Sequence, residues 1–237
     1  MSSPVVESLY DQIWSRKSPG SRDNTLSLRE ELALQWLTPA ESFLDIGCGT
    51  GELCRKASHK FTSIQGCDIS NEALSIAKQN GISCQKVDLN ESILPYDAGS
   101  FDAVTALDVI EHLFDPPTFL ILVHQILKPG GQLILSTPNF RKLKNLLILA
   151  AHGHFPKTSG DPEGWDGGHF AYFTRKDLSD LLIRSGFTPS RSLGIYSLYQ
   201  HQTLKKIAIT LLGKYLSTEF IAGGILIEAI ASPRNSR

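Results

Sequence analysis

The sequence predicts an α/β protein: one open, mostly parallel sheet with helices on both faces. Three observations predict it. From residue 40 onward short apolar runs alternate with stretches of helical periodicity, the pattern of successive βαβ units. The first of these runs passes straight into a turn with glycine at every second position, Gly47, Gly49 and Gly51, where a parallel strand hands the chain to a helix and a ligand can lie against bare backbone. Finally, 41% apolar against 20% charged residues in a chain of 237 is enough to fill a core on both faces of such a sheet.

The elements follow in order. Val6, Leu9, Tyr10 and Ile13, then Leu28, Leu32, Leu34, Trp36 and Leu37, recur at roughly helical spacing, so 5–14 and 23–37 are expected as lead-in helices separated by Pro19-Gly20. Strands are expected over 42–46, 63–67, 83–87, 101–107 and 132–136, with helices over 52–58, 71–80 and 117–127 between them. Helix 140–151 is followed by a Gly-, Pro-, Asp- and His-rich stretch, 152–169, expected as a loop or lid. Thr174-x-x-Asp177 opens another helix and Gly186 stops it. Strand 187–193, helix 204–216 and strand 221–231 complete the chain. With no linker evident, all 237 residues are expected in a single domain, divided into the lead-in helices (1–39), a cofactor half (40–138) and a substrate side (139–237).

Composition excludes several classes. The formal net charge of −1 gives no basic field of the kind a dedicated nucleic-acid binder carries. That total hides an asymmetry: residues 1–139 hold 10 basic and 17 acidic side chains, whereas 140–215 hold 11 and 5. Cys48, Cys54, Cys67 and Cys84 include no C-x-x-C pair, which fits reduced thiols and a cytoplasmic protein better than a disulfide scaffold. The start has no basic segment followed by an apolar core, and the run 220–231, broken by Gly223, Gly224 and Glu228, falls short of the about 20 residues that span a bilayer. No signal peptide or transmembrane helix is therefore expected.

The chemistry lies at the strand ends. After Leu44-Asp45-Ile46 and the three glycines, Gly66-Cys67-Asp68 places a carboxylate about 20 residues on, where it can accept both hydroxyls of a ribose; the alternative is that Asp68 caps the next helix. The sixth position of a dinucleotide fingerprint is here Glu52. A carboxylate there repels a pyrophosphate but suits a ligand carrying an ammonium and a sulfonium. S-adenosylmethionine is such a ligand, with Asp45 and Glu52 as the local candidates for its ammonium. Asp88 at the third strand end can accept from an exocyclic amino group, and Ile69 and Leu89 can sandwich an adenine.

With these residues in order, 40–138 resembles a class I S-adenosylmethionine-dependent methyltransferase. Leu44–Gly51 resembles the family's glycine-rich first motif, Asp68 its ribose-binding acid and Lys86-Val87-Asp88-Leu89 its adenine turn. Phe101–Val104 with Leu107-Asp108-Val109-Ile110-Glu111-His112-Leu113 resembles its fourth-strand motif, and Leu127–Leu135 the turn into its fifth strand. The resemblance implies a Rossmann-like, seven-stranded, mostly parallel sheet ending in an antiparallel hairpin, and S-adenosylmethionine held by Asp45, Gly47, Gly49, Gly51, Asp68, Ile69, Asp88, Leu89 and Leu107.

The acceptor side is read from fewer signals. A hydroxyl acceptor must lose its proton, and His112, just past the fourth strand, is the candidate general base; the alternative is that it packs on the cofactor. The segment resembles quinone-biosynthesis O-methyltransferases, in which the Glu-His-Leu sequence sits beside the reacting centre. His169, Tyr172 and Tyr10 are the candidate substrate residues. His152-x-His154 with Asp161 and Asp166 lacks a clear third ligand, and no metal is expected. The basic, apolar stretches 140–151 and 201–216 fit helices that touch a membrane surface or a hydrophobic substrate, or that simply cover the sheet. The expected function is methyl transfer to a small molecule, at oxygen first. The alternatives are a cofactor-binding partner protein without catalysis and, disfavoured by Glu52, a nicotinamide-dependent oxidoreductase.

Overall fold

The computed structural model describes residues 4–17, 26–91, 93–162, 165–196, 210, 213 and 215–233. The seven strands are β1 (Ala40–Ile46), β2 (Phe61–Asp68), β3 (Ser83–Lys86), β4 (Phe101–Leu107), β5 (Leu127–Pro138), β6 (Phe187–Ile195) and β7 (Gly224–Ala231). They form one sheet in the order β3-β2-β1-β4-β5-β7-β6. The first five are parallel, while β7 inserts antiparallel between β5 and β6. The chain therefore winds outward in one direction through β2 and β3 and in the other through β4 and β5. The reversal between β1 and β4 opens a crevice at the strands' carboxyl edge.

The helices that flank this sheet include α1 (Pro4–Lys17), α2 (Leu28–Trp36), α3 (Glu52–Ala57), α4 (Asn71–Gln79), α5 (Pro116–Ile126), α6 (Leu143–His152) and α7 (Arg175–Arg184). Period-two alternation divides the core. Leu44, Val104, Leu133 and Leu135 face Phe119, Leu120, Leu178 and Leu182 on one side. Phe43, Ala103 and Ile134 face Ala33, Leu53, Ala57 and Leu74 on the other. Caps set the boundaries. Ser27 and Glu30 form a capping box on α2, Thr174 and Asp177 one on α7, and Asp115 accepts from the Thr118 N–H with Pro116 opening α5. Each satisfies amide groups that helix starts leave unbonded.

The expected elements are found with shifted ends. Helix 23–37 contracts to Leu28–Trp36 because the Ser27 capping box starts it, and residues 18–25 lie outside the described part. Strand 132–136 extends to Leu127–Pro138, since the Lys-Pro-Gly-Gly turn already pairs with β4 through Leu127 and Phe101. Helix 140–151 begins only at Leu143, after Asn139 turns the chain by accepting from the Arg141 N–H. Most of helix 204–216 lies outside the described residues; 215–220 are helical. The stretch 153–165 contains no strand or helix among its described residues.

Candidate active site

The register brings distant residues to one edge. Ile46 pairs with Cys67 and Ala106, Asp68 with Lys86, and Leu107 with Ser136. Gly47, Asp68, Asp88 and Leu107 thus emerge side by side from β1, β2, β3 and β4, and all four line one cavity of about 820 Å³ with Ile69, Leu89, Tyr10, His112 and His169.

Gly47 and Gly49 have left-handed backbone (φ 73° and 51°), and a Cβ would come within 2.6 Å of Val109 Cγ2 or Trp14 Cζ2. Only glycine tolerates both the dihedral and the approach. The Asp68 carboxylate is buried and accepts from the N–H groups of Gly49 and Ser70, both at 2.9 Å. It is fixed in place with acceptor capacity remaining. Burial raises its pKa. Asp88 is likewise buried and accepts from the Asn90 N–H at 3.0 Å.

Four residues expected around the ligand point elsewhere. The Asp45 carboxyl turns beneath the loop, where it accepts from Thr105 Oγ1 at 2.6 Å, and burial pushes its pKa up to about 7. Glu52 is held by Arg55 at 2.7 Å and is off the cavity wall. Gly51 packs against Ile82 as the cap of α3. Tyr172 packs edge-on against Phe155 and Phe140 and donates to Asp166 at 3.2 Å, behind the wall. The charged pair that does face the cavity is Arg29 of α2 with Asp108. Asp108 has φ 52° and is held by Ser136, whose Oγ donates to Oδ1 at 2.6 Å while accepting from the Asp108 N–H. Asp108 belongs to the fourth-strand motif, whereas Arg29 belongs to no motif; its position two residues after the α2 cap is the signal the sequence offers.

On the acceptor side, Nδ1 of His112 lies 3.0 Å from the Gly168 carbonyl. A carbonyl only accepts, so Nδ1 carries the proton and the lone pair is on Nε2. His112 packs edge-on against Tyr10 and His169, with centroids 5.6 and 4.6 Å apart. Beneath them Glu111 is buried with neither carboxylate oxygen hydrogen-bonded, and burial raises its pKa to about 7. The Glu111, His112 and His169 ligand atoms lie within 4.8 Å of one another, a cluster the spacing of the chain did not reveal because His169 arrives from the lid. Use of His112 Nε2 as a base and as a metal ligand exclude each other.

Comparison with known proteins identifies the family. The methyltransferase-domain family profile matches residues 21–191. The chain belongs to the class I S-adenosylmethionine-dependent methyltransferases. A ubiquinone biosynthesis O-methyltransferase of Dechloromonas aromatica is 34% identical over 131 residues, 51% of this chain and 56% of that protein; the match spans just over half of the relative's length. One from Cupriavidus pinatubonensis is 28% identical over 76% of this chain and 78% of its own. Among solved structures, one from the complex of the Haloferax volcanii Trm112 methyltransferase activator with a methyltransferase superposes with a TM-score of 0.67, at 17% identity, over 98% of this chain and all of that one, a likeness of fold. The sheet, its antiparallel end and the family's cofactor, S-adenosylmethionine, thus match the expectation. No helix among the described residues is long and apolar enough to cross a membrane.

Proposed function

We propose that this protein transfers a methyl group from S-adenosylmethionine to a hydroxyl oxygen of a small-molecule acceptor, with His112 as general base. The observation that carries the reading is the convergence of Asp68, Asp88 and His112 on one cavity. The cavity's donor and acceptor set fits the cofactor. Asp68 accepts the ribose hydroxyls, Asp88 the adenine amino group, and Ile69 and Leu89 flank the base. The Arg29–Asp108 pair offers opposite charges to the carboxylate and ammonium of the amino-acid end. When bound, S-adenosylmethionine supplies an electrophilic methyl that needs no further activation. The chain's task is then to hold the acceptor oxygen in line, worth up to about 7–11 kcal/mol of barrier, and to take its proton on His112 Nε2. Oxygen as the target is supported by the relatives' names. Free thiols at Cys48, Cys54, Cys67 and Cys84 support a cytoplasmic setting.

A second cavity of about 550 Å³ shares Lys142 and Tyr196 with the first and is walled by Leu143, Leu147, Ile148, Phe220 and Ile221. This continuity supports an acceptor whose apolar part leaves the reacting centre along α6, with Lys142 and Lys144 at the rim.

Calorimetry tests the cofactor half. S-adenosylhomocysteine is expected to bind, and Asp68→Ala and Arg29→Gln each to weaken it at least tenfold; no binding, or binding unchanged in Asp68→Ala, overturns the reading. Incubation with labelled S-adenosylmethionine and cell extract should label a small molecule. A stoichiometric protein partner with no labelled product would instead make the chain a cofactor-binding partner without catalysis.

A further inference from the structure

The four residues Asp166–His169 form a turn with an unusual concentration of constraint. Asp166, Gly167 and Gly168 all have left-handed backbone (φ 51°, 64° and 82°). The buried Asp166 carboxylate accepts from the Thr158 N–H at 2.7 and 2.9 Å, the Ser159 N–H at 2.8 Å and Tyr172 Oη at 3.2 Å. Its partners hold it below the usual carboxylate range although burial opposes them, so it is an acceptor only. Thr158 Oγ1 lies 2.9 Å from Asp166 Oδ2 and 2.7 Å from His169 Nδ1. The hydroxyl has one proton for two neighbours, and the carboxylate is the stronger acceptor. That proton therefore goes to Asp166, and Thr158 Oγ1 accepts from His169 Nδ1–H. The same turn offers the Gly168 carbonyl to His112 Nδ1.

We propose that Asp166, through Thr158 and the turn it anchors, is a positioning residue that keeps both His169 and His112 in the tautomer protonated on Nδ1, so that His169 meets the acceptor as a hydrogen-bond acceptor. The proposal rests on the methyl-transfer reading for its purpose but not for its geometry. Burial keeps the His169 imidazole below its ordinary range and hence neutral, with Asp166 Oδ2 3.6 Å from Nδ1. No proton moves to His169: when the acceptor's O–H bond breaks, its proton goes to His112 Nε2, and His169 keeps Nδ1–H hydrogen-bonded to Thr158 Oγ1.

Long-range ¹H–¹⁵N correlation spectra of the full chain read imidazole tautomers directly, with His169→Gln and His112→Gln variants assigning the signals. The wild type should show a bare Nε2 on both rings at neutral pH. Thr158→Val should release His169 alone into a mixture or the opposite tautomer, Asp166→Asn should disturb both rings, and Thr158→Ser should restore the wild-type pattern. A His169 ring protonated on Nε2 in the wild type, or unchanged in Thr158→Val, overturns the proposal. Once an acceptor is in hand, Thr158→Val should lower kcat by roughly tenfold to a hundredfold at unchanged cofactor affinity, with Thr158→Ser near wild type. Absence of any methyl transfer with the tautomers as stated overturns the functional reading and leaves the positioning role standing.

Discussion

Among the described residues, the non-glycine positions with left-handed backbone are Asp108 and Asp166, and both hold groups of the candidate site in place. Such dihedrals cost on the order of 1–3 kcal/mol each and persist where the surroundings over-determine them; here Ser136 fixes one, and Thr158 with Ser159 the other. Their side chains thereby reach Arg29 and the His169 relay. His112→Ala is expected to lower turnover on a hydroxyl acceptor by roughly 10²–10⁴-fold with cofactor affinity nearly intact, as steady-state kinetics and calorimetry on the same preparation will show; a loss of less than a few fold would leave His112 as packing. The cavity wall was legible where it is built locally at a strand end, as at Gly47, Asp68 and Asp88. The direction of the Asp45 side chain was not legible, because it depends on Thr105, 60 residues away. Arg29 was missed because its place just after the α2 cap marks a helix start but does not say which cavity that start faces.

At the scale of elements, α6 inverts the usual rule. Of its ten residues only Asn145 is buried, while Leu143, Leu147 and Leu149 stay 45%, 56% and 42% exposed. Sequence periodicity announced an apolar helix and left its partner open, since periodicity reports which residues share a face and nothing of what the face meets. For a helix that merely covers the sheet, burial would run the other way. Leu147→Glu, at a half-exposed site, should therefore change thermal stability little, within about 0.5 kcal/mol, yet raise the KM of an acceptor with an apolar tail several-fold. Lys142→Glu with Lys144→Glu should do the same for an acidic acceptor. Unchanged KM in both, with binding to anionic vesicles lost, would assign this face to a membrane surface. The parallel strands were readable because each βαβ unit is local, whereas their order in the sheet was not. The extension of β5 was not, because its first residues are recruited by pairing with β4.

For the whole molecule, the asymmetry of charge acquires a location. The acidic part supplies Asp68, Asp88 and Asp108 to the cavity wall, and the basic part supplies Lys142 and Lys144 to the groove beside it. Two further carboxyls are buried deeply enough to matter to stability. Glu111 and Asp45 have ordinary values of 4.5 and 3.8 and are each raised by burial to about 7. Between about pH 4 and 7 the folded chain therefore binds more protons than the unfolded one, and stability falls as pH rises through that window. At about 1.4 kcal/mol per pKa unit the Glu111 share is on the order of 3 kcal/mol. Urea denaturation at pH 5 and pH 8 should show the drop, and Glu111→Gln should remove part of the slope; an equal slope in the variant would refute the assignment to Glu111.

The first helix gives the molecule a dependence of a different kind. Tyr10, Ile13 and Trp14 of α1 roof the cavity, and beside the buried Ile13 and hydrogen bonds from Ser70 and Asn71 to Asp11 and Glu7 two ion pairs at the surface fasten that roof. Arg16 meets Asp161 of the lid at 2.6 Å with 46% and 26% of their side chains exposed, and Glu7 meets Lys86 at 2.5 Å. Exposed pairs of this sort contribute up to about 1 kcal/mol and weaken as mobile ions screen them. The residence time of a ligand beneath this roof is therefore expected to depend on ionic strength. Stopped-flow release of S-adenosylhomocysteine, followed by the fluorescence of Trp14, should quicken as sodium chloride is raised, and Arg16→Gln should exchange quickly even in dilute buffer.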